Sequence, residues 1–504
     1  MKWLLFCFLF SPIALIAQTN YPESNNVISN IIFKVTQDSI VAKIKRKDIT
    51  SFAVAVSQNG KVIWQQAFGW ANKEKKIKAT PTTSYALASL SKSITCTAIM
   101  ILSEKGLIHL DDPVAKYLGN ATLTYFKGSS DELTTSHLMN MAGGIPHQWE
   151  YYYTDEKKQF LPIEEQIKRY GIVVFPLTQV FNYSNFSIAI LEQIIKQATH
   201  KDLSQFMSAT IFNPLHMKNA AVNRGNLLSS AIARGYDNDG HLLAESEFYP
   251  KAGAGYFASA ADLIRYGMFH LKEKKTELTP ILSNENIDIL HLPKSYTPHN
   301  AFYANGWGVL KIGSDKTSLL SNGAIDGTAT SLLLLPEKNI AIVCLTNATV
   351  GNDFTDQMAF TIANILVPGY SAEVDSFFNT NAPAFADKPF EASDSLVGTW
   401  EGKIVTYKDS IPLQIVFETS NKIYVHIQGQ FETLMNNTTI NSGLIVGQCF
   451  GNISLPETEG IPHYLEFVLK QDRDEIFGSI SAQSAFSKRP RFLIPAYLSL
   501  KRKK

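Results

Sequence analysis

The 504-residue chain carries 46 Lys and Arg against 45 Asp and Glu, a net charge of +1, with 45% hydrophobic, 18% charged and 11% aromatic residues. This balance excludes the strong basic field of a nucleic-acid or anionic-membrane binder, and the composition is that of a globular protein with a sizeable core. The length calls for two or three domains.

Met1-Lys2 precedes an apolar run from Trp3 to Ala17, broken by Ser11 and Pro12. The run is too short to span a bilayer and has the shape of a secretory signal, so residues 1–17 are set apart from the fold and a secreted or periplasmic protein is expected. An uncleaved N-terminal anchor is the competing reading. Cys7 leaves with the signal. Cys96, Cys344 and Cys449 are scattered, form no disulfide framework or metal pattern, and read as small buried hydrophobes.

Residues 18–50 read as a helical lead-in. Phe52–Val56 and Lys61–Trp64 flank Gln58-Asn59-Gly60, and Asn-Gly between apolar runs signals a hairpin. After Pro81-Thr82-Thr83 a helix begins near Ser89, with Ile94, Ala98, Ile101 and Leu102 at helical spacing and Gly106 as its stop. Residues 107–200 read as helices and loops, including Thr134–Met141, an aromatic loop at Trp149–Tyr153 and a long helix at Asn185–Ala198. Ala252–Tyr256 is a glycine-rich turn entering a helix at Ser259. Strands follow at Gly306–Ile312, Thr317–Ser321, Thr328–Leu335 and Ile340–Leu345, and they are expected to pair with the 52–68 hairpin in one antiparallel sheet. A closing helix covers 354–366. Residues 368–393 have a linker composition. Short alternating strands then occupy Thr399–Tyr407, Pro412–Phe417, Lys422–Gln428, Leu444–Gln448, Tyr464–Leu469, Glu475–Ser479 and Phe492–Leu500, which suggests a small β-barrel or sandwich at 394–504.

Chemistry concentrates in Ala86–Thr95. On a helix Ser89 and Lys92, at i and i+3, lie about 5–6 Å apart at Cβ, so the amine can reach the hydroxyl. A serine needs a neighbouring base, and an amine serves when burial lowers its pKa towards neutrality. The adjoining helix start supplies N–H groups for an oxyanion. Tyr183-Ser184-Asn185 precedes a helix: Tyr183 can share the Ser89 proton and protonate a leaving group, and Asn185 can bond Lys92 or a substrate amide. Ser321-Asn322-Gly323-Ala324 ends a strand, where the Ala324 N–H can join that of Ser89 in an oxyanion hole. The histidines, from His109 to His463, show no ligand spacing, so no metal or cofactor is expected.

In this order, Ser89-x-x-Lys92, Tyr183-x-Asn185 and a glycine-containing triplet on a late strand, the chain resembles the serine β-lactamase-related family of class C β-lactamases, penicillin-binding proteins, D-alanyl-D-alanine carboxypeptidases and esterases. Val56–Gly60, Gly106–Val114 and Gly253–Tyr256 add to the resemblance, which covers roughly residues 40–367. It implies an α+β fold, an antiparallel sheet flanked by helices with a mainly helical subdomain, over residues 18–367. The 394–504 part resembles the lipocalin-like β-domains some members append. The resemblance further implies Ser89 as acylated nucleophile, Lys92 as its proton partner, Tyr183 as general base or acid, and Asn185, Ser321, Asn322, Gly323 and Ala324 around the substrate. That family's third triplet usually opens with lysine or histidine; here Ser321 stands there, so a substrate carboxylate is recognised less well. Asp326 repels such a group if it faces the cleft, and is expected to point to solvent. A small-molecule or peptide substrate, neutral or cationic near the reacting carbonyl, is therefore expected, with no nucleic-acid partner and no membrane span after signal removal. A catalytically silent binding or sensor protein on the same scaffold is the alternative.

Overall fold

The computed structural model describes residues 31–503 except 157–159, 178–180, 226, 228–230, 273–278, 298–300, 313–315, 381–387, 442 and 485–488. The signal expected at 1–17, with Cys7, lies outside the described residues. Among those residues no helix is long and apolar enough to cross a membrane.

The first layer is a nine-stranded sheet. Its order runs Ser295–Tyr296, Phe302–Ala304, Trp307–Ile312, Lys316–Ile325, Thr328–Leu335, Ile340–Thr346, Ser51–Gln58, Lys61–Asn72 and Ile77–Lys78. The late strands join the early hairpin through antiparallel pairing of Ile340–Thr346 with Ser51–Gln58, as expected. At the hairpin tip Asn59 and Gly60 both take positive φ, 51° and 72°, the conformation that makes Asn-Gly a turn. Thr328–Leu335 and Ile340–Thr346 are buried along their whole length because helices cover both faces.

Side-chain alternation decides which helix each face meets. Phe52, Val54 and Val56 join Phe33, Ile40, Met358 and Ile362 under the helices Lys34–Lys45 and Asn352–Leu366. Ala53, Ala55, Leu332 and Leu334 face the other way, in the core that holds Ile94, Leu263 and Ile264 of the helices Ser91–Glu104 and Ala260–His270. Small residues bring that layer close: a Cβ on Gly267 would stand 3.0 Å from the Ala341 Cβ. The helical subdomain includes Asn185–Thr199, within one residue of the expected span, and a shorter helix at Thr135–Met139.

The C-terminal part is a curled antiparallel sheet, a half-barrel, around the fully buried Trp400. Its burial alternates, as in Ser410–Phe417, because one face meets a core and the other solvent. It contains the seven expected strands, with short additional ones at Lys388–Pro389, Thr433–Leu434 and Asn436–Asn441.

Two segments differ from expectation. Trp149–Tyr153 is a strand, pairing with Ser246–Tyr249 on one side and with Phe492 and Leu493 on the other. It thereby hydrogen-bonds the two parts of the chain. Within the segment of linker composition, Tyr370–Thr380 is a helix whose Tyr370 and Val374 are buried against the first sheet. Polar bridges reinforce the junction: Arg169 to Glu457 at 2.8 Å, Arg489 to Asp155 at 2.6 Å and Arg491 to Glu156 at 2.9 Å.

Candidate active site

The strand Ser84–Ala86 pairs with Tyr256–Ser259 and runs into a 3₁₀ turn, Ala88–Leu90, that opens the helix Ser91–Glu104. Ala88 takes φ 48°, a left-handed conformation costing a non-glycine residue about 1–2 kcal/mol. The turn is held by its neighbours: Leu87 N donates to Tyr256 O at 2.8 Å, and Thr330 Oγ1 donates to Leu87 O at 2.9 Å. Strain retained this way presents Ser89, half-buried, at a cleft.

Lys92 lies one turn on and is 1% exposed. Its Nζ donates to Ser89 Oγ at 3.0 Å and to the Gly253 carbonyl at 2.8 Å. That carbonyl is free of helix partners because the one-turn helix Lys251–Ala254 ends beside it. Burial lowers the Lys92 amine to about 7, with the nearby Cys96 thiol pulling weakly the other way. The amine is therefore close to half neutral at neutral pH.

Tyr183 completes the group, its Oη donating to Ser89 Oγ at 2.7 Å while its ring lies 4.8 Å from Lys92 Nζ. The ring is 37% exposed on the cleft side, yet the protein around the hydroxyl desolvates it and pushes it up to about 12. Its loop is tied down by Asn182 N to Met141 O at 2.9 Å and Ser184 Oγ to Pro146 O at 2.8 Å. Asn185 opens the next helix. It makes no bond to Lys92, whose second partner is the Gly253 carbonyl; its buried Oδ1 has no partner among the described residues.

His147 belongs here and has no signature in the sequence. Its Nδ1 accepts the Asn185 N–H at 3.1 Å, which places the proton of the neutral ring on Nε2. Burial, then the charge of Lys92, depress its pKa to about 3, so it stays neutral.

The strand Lys316–Ile325 forms the opposite wall. Its pairing with Trp307–Ile312 stops at Leu320, leaving the edge beyond it facing the Ser89 turn. A Cβ on Gly323 would stand 2.4 Å from Ser89 N, so only glycine permits this approach. Ser321 does not project into open cleft as a charged group would: it is 3% exposed and donates to Ser93 Oγ at 2.9 Å. Asn322 donates to Asp356 at 2.6 Å, and burial raises that carboxyl to about 7.

Two cavities meet at Ser89 and Tyr183. One, about 690 Å³, runs past Asn322 and Asp356 to Leu444 and Val446 of the C-terminal sheet. The other, about 530 Å³, holds His147, Asn185, Ala324 and an aromatic wall, with Ser484 and Pro490 at its far side. Asp326, expected to point to solvent, is exposed but lines this second cavity. Among the described residues one trio of side chains is spaced for a metal ion, Asp237, Asp239 and His241, in a turn that lines neither cavity.

Residues 37–366 match the family model Beta-lactamase. The chain belongs to that family. It is 27% identical to Protein flp of Staphylococcus aureus (strain MRSA252) over 313 residues, covering 60% of each chain. It is 30% identical to a D-aminopeptidase of Brucella anthropi over 225 residues, 43% of this chain and 42% of that one. The chain thus spans about 60% of the length of the first of these curated relatives and less of the second. Its fold is shared with an octameric penicillin-binding protein homologue from Pyrococcus abyssi, at a TM-score of 0.58 and 20% identity, over 91% of this chain and 99% of the other. That coverage extends the shared fold beyond the matched family region into the C-terminal sheet.

Proposed function

We propose that the protein is a serine hydrolase that cleaves an ester or amide bond through an acyl-enzyme on Ser89. The observation that carries this reading is the meeting of three groups on one oxygen: the Lys92 amine at 3.0 Å and the Tyr183 phenol at 2.7 Å from Ser89 Oγ.

In the neutral state Lys92 takes the Ser89 proton as Oγ attacks the carbonyl carbon. The oxyanion is held by the N–H groups of Ser89 and Ala324, each such donor contributing about 3–4 kcal/mol to the transition state. Tyr183, protonated at neutral pH, gives its proton to the leaving group and recovers one from Lys92. Water then attacks the acyl ester with the same pair acting in reverse. Asn185 offers its unpartnered Oδ1 to a substrate N–H. Lacking a cation at Ser321, the site suits a substrate with no carboxylate near the reacting carbonyl, and we expect β-lactams to be poor substrates. We assign residues 18–367 to the hydrolase domain, 368–393 to the connection and 394–504 to a β-domain. The apolar segment at 1–17 is read as a signal for export.

A serine-reactive fluorophosphonate tests the reading, with Ser89→Ala as control. Labelling of the native protein and none of the variant is expected. Undiminished labelling of the variant overturns it, and rapid nitrocefin turnover together with inertness towards neutral aryl esters overturns the substrate preference alone.

A further inference from the structure

The smaller cavity has a chemistry that acyl transfer itself does not use. Asp326 and Gly327 form the two-residue tip of the hairpin between Lys316–Ile325 and Thr328–Leu335. This tip is fixed: Gly327 N donates to Thr349 Oγ1 at 2.7 Å, and a Cβ on Gly327, whose φ is 79°, would stand 2.6 Å from the Gly235 Cα. Asp326 is thus held on a rigid support two residues beyond Ala324. At the strand rise this is on the order of 7 Å from the proposed oxyanion donor.

No hydrogen bond or ion pair occupies the Asp326 carboxylate among the described residues. Aromatic side chains line the cavity with it. Trp149, Tyr151 and Phe248 line the same cavity, with Tyr151 5.5 Å from Trp149 and 5.2 Å from Phe248 between ring centroids. Burial, then the Asp326 charge, raise the Tyr151 phenol, as they do that of Tyr153, so the carboxylate is electrostatically close to both. Desolvation holds the Asp326 carboxyl above its ordinary range, a penalty that a bound cation relieves.

Among the described residues no protein cation fills this role. Among the described residues lining the cavity there is no Lys or Arg, and His147 is neutral. Arg489 and Arg491, which lie over the Tyr153 ring, are paired with Asp155 and Glu156. In the other cavity the buried Asp356 is already bonded to Asn322 and Ser331. A carboxylate in an aromatic-lined cavity is a site for an ammonium group, which gains from the charge and from any ring face it meets.

We propose that the Asp326 cavity binds a primary ammonium on the acyl portion of the substrate, so that the enzyme selects amine-bearing acyl groups. The selectivity rests on the hydrolase reading above; binding of the cation does not. Asp326 is a specificity residue here and takes no part in bond cleavage.

Two measurements test this. The first is the ratio of kcat/KM for alanine 4-nitroanilide, both enantiomers, to that for its N-acetyl derivative. The native ratio is expected to exceed ten, to fall at least tenfold in Asp326→Asn, and to return in Asp326→Glu, with thermal melting confirming that the variants fold. The second is calorimetric binding of 2-phenylethylammonium against neutral 3-phenylpropan-1-ol. Asp326→Asn is expected to weaken the ammonium at least tenfold more than the alcohol. Equal ratios in native and variant proteins, or equal weakening of both ligands, overturn the proposal while leaving Ser89 labelling intact. If neither anilide is turned over and the phosphonate does not label Ser89, the hydrolase reading fails and the calorimetric result alone decides the cation site.

Discussion

The two large sheets of this protein are built on opposite principles. In the first, Thr328–Leu335 is buried on both faces and its neighbours are clamped by helices on each side. In the second, Ser410–Phe417 alternates between core and solvent. Both reach the cleft, but only the first carries the glycine opening for close backbone approach, and it is against the first that the helix Ser91–Glu104, with its strained entry turn and desolvated amine, is packed. Reactive groups need a support that cannot relax, and a sheet covered on both faces provides one. The second sheet contributes walls such as Leu444 and Val446, where shape matters more than placement to a fraction of an ångström.

That contrast predicts a gradient of effects. Ser89→Ala is expected to lower kcat by roughly four orders of magnitude and abolish phosphonate labelling, read by single-turnover kinetics. Lys92→Met is expected to cost about 10³-fold in kcat, yet to raise stability. The sign follows from linkage: the amine titrates near 7 folded and near 10.5 unfolded, so the unfolded chain binds more protons between those values. The penalty of burying the charge therefore grows as pH falls from 10.5 and is complete below about 7. Denaturation of Lys92→Met at pH 6 is expected to show a gain on the order of 2 kcal/mol, allowing for the lost bond to Gly253. In the native enzyme kcat/KM is expected to rise with pH through about 7, where the neutral amine appears, and a flat profile there contradicts the base role of Lys92.

Smaller effects separate the sheets further. Tyr183→Phe and Gly323→Val are each expected to lower kcat about 10²-fold, the first by removing a proton donor and the second by displacing the Ser89 turn. In the C-terminal sheet, Val446→Ala is expected to change KM a few-fold and leave kcat nearly unaltered. A loss in kcat as large as that of Gly323→Val would erase the distinction between scaffold and wall.

Local chemistry explains what the sequence made legible. Asn59-Gly60 announces its hairpin, the apolar run Ser331–Leu335 announces a strand covered on both faces, and Ser89 with Lys92 needs only helical spacing to meet. Long-range pairing was hidden. Trp149–Tyr153 reads as an aromatic loop because nothing near it in the chain shows that Phe492 and Leu493 lie alongside. Tyr370–Thr380 sits in polar, proline-bordered sequence, and its helix is supported by burial of Tyr370 and Val374 against a distant sheet. His147 enters the site through a main-chain N–H, a contact with no side-chain pattern to betray it. Asp326-Gly327 is visible as a turn, but whether its carboxylate faces solvent or cleft depends on the whole fold.

The strand Trp149–Tyr153 also fixes how the chain can be divided. Removing everything after residue 393 strips Phe492 and Leu493 from its edge, leaving exposed aromatic side chains and unsatisfied main-chain groups at the rim of the smaller cavity. Such a truncation invites edge-to-edge self-association before it yields an autonomous catalyst, and expression of the hydrolase part alone calls for a replacement covering that edge.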